Sequence, residues 1–540
     1  MNYYVNLGAF LLLLPLWTTW ALYGNYRLTK STGLPILLSP VDPINPFWVL
    51  LRPYVNPLFS RLPLKLGYFT QYNKLGWEWH DKNRLHTTHG SVFVIVTPTR
   101  NHLIIADKDA CEYVFKHLRE WPMNPAFSAP LEIFGSNVGT ADGHAWQRQR
   151  KITNVAFNEK NSTLVWNEAT KQAEQMLHSW VQAPNVVTST VQDVNLLALH
   201  VLAGAGFGMS FDFDSPLTAV SPGHTMSYRD ALQALMDNIV LAYFVSMLKL
   251  PLLLLPDAMR RVAIGIDEFK QYTADMVKTE REAYVPGSKS SARVNLLSSI
   301  VRASIEAENS KEGGEPGMLT RGSLSNEELL GNLYAFNVAG QDITASTITY
   351  ATAMLACNPE CQRWVREEID SVCGTKRIRD FQYEQVFPRL VRYQAIMYET
   401  LRLFPPLPSV PRYTGESYSH LPLGSKMHAI PPHTAVWGNV AAVQTDEQYW
   451  GDDATVWRPN RWIRHGGVGD GEELIETVEH SYIPWASGPR VCPGKKFAQV
   501  EIVAVIASMM QSHVVAPVLD GGETEAAARE RIARVVATRT

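Results

Sequence analysis

A cysteine set among an arginine, an aromatic residue and two glycines is where this chain holds most of its chemistry: Trp485-Ala-Ser-Gly488-Pro-Arg490-Val-Cys492-Pro-Gly494. A thiolate is a strong, soft ligand for a transition metal. The run that follows, Lys495-Lys-Phe-Ala-Gln-Val-Glu501-Ile-Val-Ala, reads as a helix. Cys492 therefore stands just ahead of a helix N-terminus, where unpaired N–H groups favour the anion over the thiol. Gly488 and Gly494 let the backbone pass close to a flat ligand, because no Cβ intervenes. Most lone cysteines are core residues; the make-up of this loop sets Cys492 apart.

Four other segments carry groups that bear on it. Glu399-Thr-Leu-Arg402 lies in a helical run over 393–404 that stops at Pro405-Pro406. At i, i+3 the two charges share a helix face, and on a surface they are worth little. Trp457-Arg-Pro459-Asn460-Arg461-Trp462 supplies further arginines, and Trp146-Gln-Arg-Gln-Arg150 puts an aromatic and a cation on one helix face. Ser325-Asn-Glu-Glu328 makes a capping box for a helix that can run to Asn358-Pro359, roughly 50 Å at 1.5 Å per residue. Its middle reads Phe336-Asn-Val-Ala339-Gly340-Gln-Asp342-Ile343-Thr344.

The Cys492 segment resembles the haem-ligating loop of the cytochrome P-450 family, Phe-x-x-Gly-x-Arg-x-Cys-x-Gly, with Trp485 in place of the phenylalanine. Glu399 and Arg402 match the family's Glu-x-x-Arg, which is buried and joined by an arginine of a later Pro-x-Arg segment, here Arg461. The resemblance implies haem b with an axial Cys492 thiolate as metal ligand. By the same resemblance Trp146 and Arg150 serve one haem propionate, with Arg490 and Arg412 (in Ser409-Val-Pro-Arg412) the candidates for the other contacts. It further implies the P-450 fold, mainly α with a small β region (α+β), preceded by one N-terminal transmembrane helix.

On the oxygen side the family pattern is Ala/Gly-Gly-x-Asp/Glu-Thr-Thr/Ser, whose acid and first threonine manage proton delivery. Ala339, Gly340 and Asp342 match, but Ile343 takes the place of that threonine and Thr344 comes one residue later. One residue is about 100° of helix rotation, so an unbroken helix would turn Thr344 away. A hydroxyl bond to the Gly340 carbonyl could bend the helix, or a bulge could shift the register and recover the hydroxyl. Asp342 and Thr344 are the candidate catalytic residues. The pocket is expected from 122–138, 335–344 and 407–412.

The elements that must position these groups follow from the rest of the chain. At 540 residues, 46% hydrophobic, it can bury a large core. A net charge of −3 gives no footprint for nucleic acid. Five scattered cysteines (111, 357, 361, 373, 492) complete neither a zinc site nor a disulfide framework. Val92-Phe-Val-Ile-Val96, a turn at Pro98 and His102-Leu-Ile-Ile105 read as strands, followed by a helix capped at Asp107. Beyond it the chain reads mostly helical to about residue 400. Leu250-Pro-Leu-Leu-Leu-Leu-Pro256 is core or a second membrane contact, and 307–322 a polar, glycine-rich surface loop. After a helical stretch at 526–533 the chain ends where family members continue into a strand pair.

No charge occurs from Tyr3 to Tyr26, a stretch centred on Phe10-Leu-Leu-Leu-Leu-Pro-Leu-Trp17, and about 20 apolar residues span a bilayer. Trp17, Trp20, Tyr23 and Tyr26 suit an interface, and Arg27 and Lys30 put the remainder on the cytosolic side. The reading is a membrane anchor over 1–26, a proline-containing linker over 27–50 and a catalytic domain over 51–540. The resemblance then implies a single-pass protein of the endoplasmic reticulum membrane, its catalytic domain facing the cytosol. Its expected partners are an NADPH-dependent P-450 reductase, cytochrome b5 and a hydrophobic small-molecule substrate. The expected reaction is oxygen insertion from dioxygen, hydroxylation or epoxidation, in fungal secondary metabolism. The rivals are a reductase-independent isomerase or dehydratase of oxidised lipids, favoured by Ile343, and a non-enzymatic haem sensor.

Overall fold

The computed structural model describes residues 2–60, 72–183, 186–214, 220–248, 250–285, 295–309, 322–465, 471–475 and 481–538. Most of the expected surface loop over 307–322 lies outside them. The remainder is mainly helical around one five-stranded sheet. In sheet order the strands are Ile36–Leu38, Val92–Val96, Asn101–Ile105, Ala435–Asn439 and Ser409–Tyr413. The expected hairpin is present, with Val92 opposite Ile105 and Val96 opposite Asn101. The Asp107 side chain caps the next helix by accepting from the Ala110 N–H.

Within residues 27–50, the expected proline-containing linker, the short strand Ile36–Leu38 joins this sheet. Pro35 and Pro40 bracket a short apolar run that pairs in parallel with Val92–Val96. Behind it Asp42 is buried against Arg100 (2.7 Å) and His102 (3.1 Å). Burial alone would raise the Asp42 carboxyl, but His102 and Arg100 outweigh it and hold it below the usual carboxylate range. An apolar strand beside an open sheet edge gains ladder bonds.

Among the described residues no single helix is long and apolar enough to cross a membrane. A bent pair, Tyr228–Met236 with Ile239–Leu248 at 98°, passes by length and composition only. The transmembrane helix expected at the N-terminus is thus not shown. The backbone there forms one helix, Asn2–Lys30, with Pro15 inside and Arg27 and Lys30 in its last turn. Its end is tied to the sheet by Asn25, whose side chain donates to the Thr97 carbonyl at 2.8 Å. Leu252–Leu254 form a short turn with Leu253 92% and Leu254 70% exposed, so this segment is surface and not core.

Two helices set the frame of the site. Lys495–Ser512 is buried nearly all round from Gln499 to Met510, as a helix apolar on every face must be. Asn326–Cys357 crosses the molecule for about 48 Å. Both bonds of its Ser325/Glu328 capping box are made, and it stops before Pro359, which opens the next helix. The last helix, Glu525–Thr538, packs on it through the buried Ala528 and Val536, and no strand follows Ser512 among the described residues.

Candidate active site: the Cys492 loop and its frame

Glu399 and Arg402 are fully buried on the helix Val391–Leu403. The guanidinium forks onto the carboxylate with two bonds of 2.8 Å. Its remaining donors reach the carbonyls of Gln444 (2.9 Å), Val456 (3.1 Å) and Ala454. Glu399 also accepts from Arg461 Nε (3.0 Å), Trp462 Nε1 (2.9 Å) and the Arg458 N–H (2.8 Å). Arg461 closes the knot on Asp453 at 3.1 Å. The resemblance implied this joining of Arg461 to the Glu-x-x-Arg pair; Asp453 and Gln444 carried no signal in the sequence.

The loop itself is tight. The Cys492 N–H donates to the Trp485 carbonyl at 3.0 Å, and Ala486 and Gly488 have φ of +57° and +71°. Gly488 is needed for a close approach within the fold: a Cβ there would lie 2.8 Å from the Phe115 carbonyl oxygen. That approach is to the helix Lys108–Lys116. A Cβ on Gly494 would come 3.9 Å from Cys492 Sγ. Cys492 is accessible, yet closely surrounded, and burial pushes its thiol up. The N–H groups of Gly494 and Lys495 and the Arg150 charge pull the other way, as a helix N-terminus should, and are outweighed. Ligation to a metal reverses that balance by displacing the proton. Lys495 and Lys496 lie over the rings of Trp485 (5.1 Å) and Phe387 (4.3 Å), which occupies both charges locally.

Trp146, Arg150, Arg412 and Arg490 converge on this loop. Arg490 lies over the Trp146 ring at 4.8 Å and bonds the Ala141 carbonyl and Asp142. Arg150 donates to the Val491 carbonyl at 2.7 Å, next to Cys492. Arg412 is buried over the Phe115 ring at 5.4 Å, donating to the Met123 sulfur at 3.2 Å. Burial, and then the nearby Arg490, lower its guanidinium to about 10. Arg412 Nε and Arg490 Nε are buried without a partner. Arg412 and Arg490 thus share one carboxylate, Asp142, and the cluster calls for additional anions. Among the described residues no group of three His, Cys, Asp or Glu side chains is placed to hold a metal. One thiolate ringed by arginines fits an iron already held in a carboxylate-bearing macrocycle, so the residues present suit haem.

The helix Asn326–Cys357 decides the oxygen side. It is continuous, without the bulge that would have returned a hydroxyl to the expected place. Ala339, Asp342 and Ile343, at i, i+3 and i+4, form an exposed face. Burial and then Asp237 raise the Asp342 carboxyl, so it holds a proton more readily than an ordinary aspartate. Gly340 and Thr344 lie on another face. Leu202 methyl groups sit 3.2 and 3.4 Å from where a Gly340 Cβ would be, and Thr344 is 2% exposed. Leu202 opens a π-helical turn, Leu202–Gly206, so the irregular backbone is in the neighbouring helix. The structure therefore brings Asp342 and Ile343 together and sets Thr344 aside.

Comparison with known proteins agrees with this geometry. A sequence model of the Cytochrome P450 family matches residues 57–527. A cytochrome P450 monooxygenase of Penicillium roqueforti is 30% identical over 91% of this chain and 89% of its own. One from Arthrobotrys oligospora is 27% identical over 98% and 93%. The phomenoic acid biosynthesis cluster cytochrome P450 monooxygenase of Leptosphaeria maculans is 28% identical over 92% and 89%. The crystal structure of a cytochrome P450, CYP102L1, superimposes with a TM-score of 0.62 over 82% of this chain and 92% of that one; at 19% identity it shows the shared fold. With a cysteine held in a cationic cradle, the buried Glu399–Arg402–Arg461 knot and a family match over most of its length, this chain belongs to the cytochrome P450 family of monooxygenases, which bind haem through a cysteine thiolate.

Proposed function

We propose that this chain is a membrane-tethered enzyme of fungal secondary metabolism that hydroxylates or epoxidises an apolar small molecule. Haem b, bound through Cys492, supplies dioxygen activation and oxygen-atom insertion. The observation that carries the reading is the pairing of an accessible Cys492 with guanidiniums left short of anions. Arg150, Arg412 and Arg490, with Trp146 packed beneath Arg490, hold the two propionates, since guanidinium forks suit carboxylates. Asp342 holds and passes a proton at its carboxyl oxygens, burial making it easier to protonate than an ordinary aspartate. Ile343 adds an apolar branch to the same exposed face, so Asp342 works with ordered water or a substrate hydroxyl.

Asp342→Asn is expected to lower kcat by about 10²- to 10⁴-fold, the range of general acid–base catalysis, with substrate affinity little changed. An unaltered kcat would remove Asp342 from the proton path. Turnover should require NADPH and a P-450 reductase, with cytochrome b5 as a second donor. Product formed without either would place the chain with the reductase-independent isomerases that Ile343 favours. Metabolite profiling of an expressing strain identifies the substrate, and the relative named for phomenoic acid biosynthesis supports looking among secondary metabolites.

The membrane part of the reading rests on the uncharged stretch 3–26, with Trp17, Trp20 and Tyr23 exposed, and on the outward Leu253 and Leu254. These support a single-pass anchor in the endoplasmic reticulum with the catalytic domain in the cytosol and a second contact at the leucines. The full chain is expected to stay with membranes after alkaline carbonate extraction. Recovery in the supernatant would contradict the anchor.

A further inference from the structure

The helix Gly143–Asn154, which presents Trp146 and Arg150 to the cysteine loop, is locked by another face to the oxygen-side helix. Asn332 is fully buried there and its amide is fully used. Its Oδ1 accepts from the Val138 N–H (2.9 Å), and its Nδ2 donates to Gln149 Oε1 (2.8 Å) and the Glu328 carbonyl (2.7 Å). Gln149 is equally buried and adjoins Arg150. Beside it Arg148 forks onto the Glu328 carboxylate. The loop ahead of this helix crosses the oxygen-side helix at backbone contact. Gly135 has φ +130°, and a Cβ there would lie 2.5 Å from the Glu327 carbonyl oxygen. A Cβ on Gly331 would clash with the Gly135 carbonyl oxygen. The same loop runs on to Ala141 and Asp142, the partners of Arg490.

We propose that Asn332 and Gln149 are positioning residues for haem: their amide joint sets the register between the helix carrying Trp146 and Arg150 and the helix carrying Asp342. Directional bonds in a dry, closely packed contact permit one register where an apolar contact would permit several. A slip at this joint moves Trp146, Arg150 and, through Ala141 and Asp142, Arg490 together relative to Cys492. Neither residue bears on the cofactor directly, and no motif in the sequence marks them. The inference rests on Cys492 as the haem ligand.

Haem transfer from the holoenzyme to excess apomyoglobin tests it, with helix content followed by circular dichroism. Asn332→Leu, which strips partners from Val138 N–H and Gln149 Oε1, is expected to release haem about 10- to 100-fold faster, the usual effect of removing an outer partner of a metal site. Asn337→Leu is the comparison: Asn337 is as buried on the same helix but bonds Tyr228 (3.1 Å), and its loss should leave the release rate at the parental value. If Asn332→Leu does not fold, Gln149→Met reads the same joint, because Asn332 keeps its bonds to Val138 and Glu328. Parental release rates in the folded joint variants, or equal acceleration in Asn337→Leu, would overturn the proposal. Failure of the Cys492 assignment would show separately, as a parent protein without the thiolate spectrum.

Discussion

Glu399→Ala is expected to leave little folded protein able to bind haem. Arg402 and Glu399 are both wholly buried, and the guanidinium draws two of its five bonds from that carboxylate. Removing one partner of a buried pair strands the other charge, which costs about 3–5 kcal/mol. A domain has only about 5–15 kcal/mol in total, so the loss takes a large share. Arg461 and Trp462 lose an acceptor in the same step. Urea unfolding of the variant, with haem incorporation measured alongside, checks this. The double variant Glu399→Leu with Arg402→Met should recover part of the loss, because no buried charge is then left unpaired except Arg461, which keeps Asp453. Arg464→Ala breaks an exposed pair with Glu473 and should change stability by no more than about 0.5 kcal/mol. A Glu399→Ala protein as stable as Arg464→Ala would contradict the account.

What was legible in the sequence was local. The cysteine loop, the Ser325/Glu328 capping box, the 92–105 hairpin and the Asp107 cap each need only residues a few positions apart. The Glu399–Arg402 pair was legible as a pair, but its burial came from the resemblance, since i, i+3 spacing occurs as readily on a surface. Contacts between distant segments left no trace in one chain. Nothing near Gly488 announces Phe115, nothing near Arg490 announces Asp142, and Gly135 and Gly331 look like ordinary loop and helix glycines. Thr344 was undecided because its place depends on whether the helix bulges, and the structure shows that it does not. Within 27–50 the paired strand left no signal of its own, because prolines mark the ends of a strand as well as they mark a linker.

Cys492→Ala carries the other large expected effect. Cys492 is the cysteine beside Arg150, in the loop that carries Arg490. The remaining cysteines, 111, 357, 361 and 373, are raised by burial at sites elsewhere in the fold. None of them can substitute. The loop's other bonds, from the Cys492 N–H to Trp485 and from Arg150 to Val491, use backbone groups that alanine retains. The variant should therefore fold while losing its sulfur ligand. The carbon monoxide difference spectrum of the reduced protein is the most direct test: the parent should show the thiolate-dependent band at about 450 nm, and Cys492→Ala should not. A parent without that band, or a Cys492→Ala protein that keeps it, would contradict the central claim.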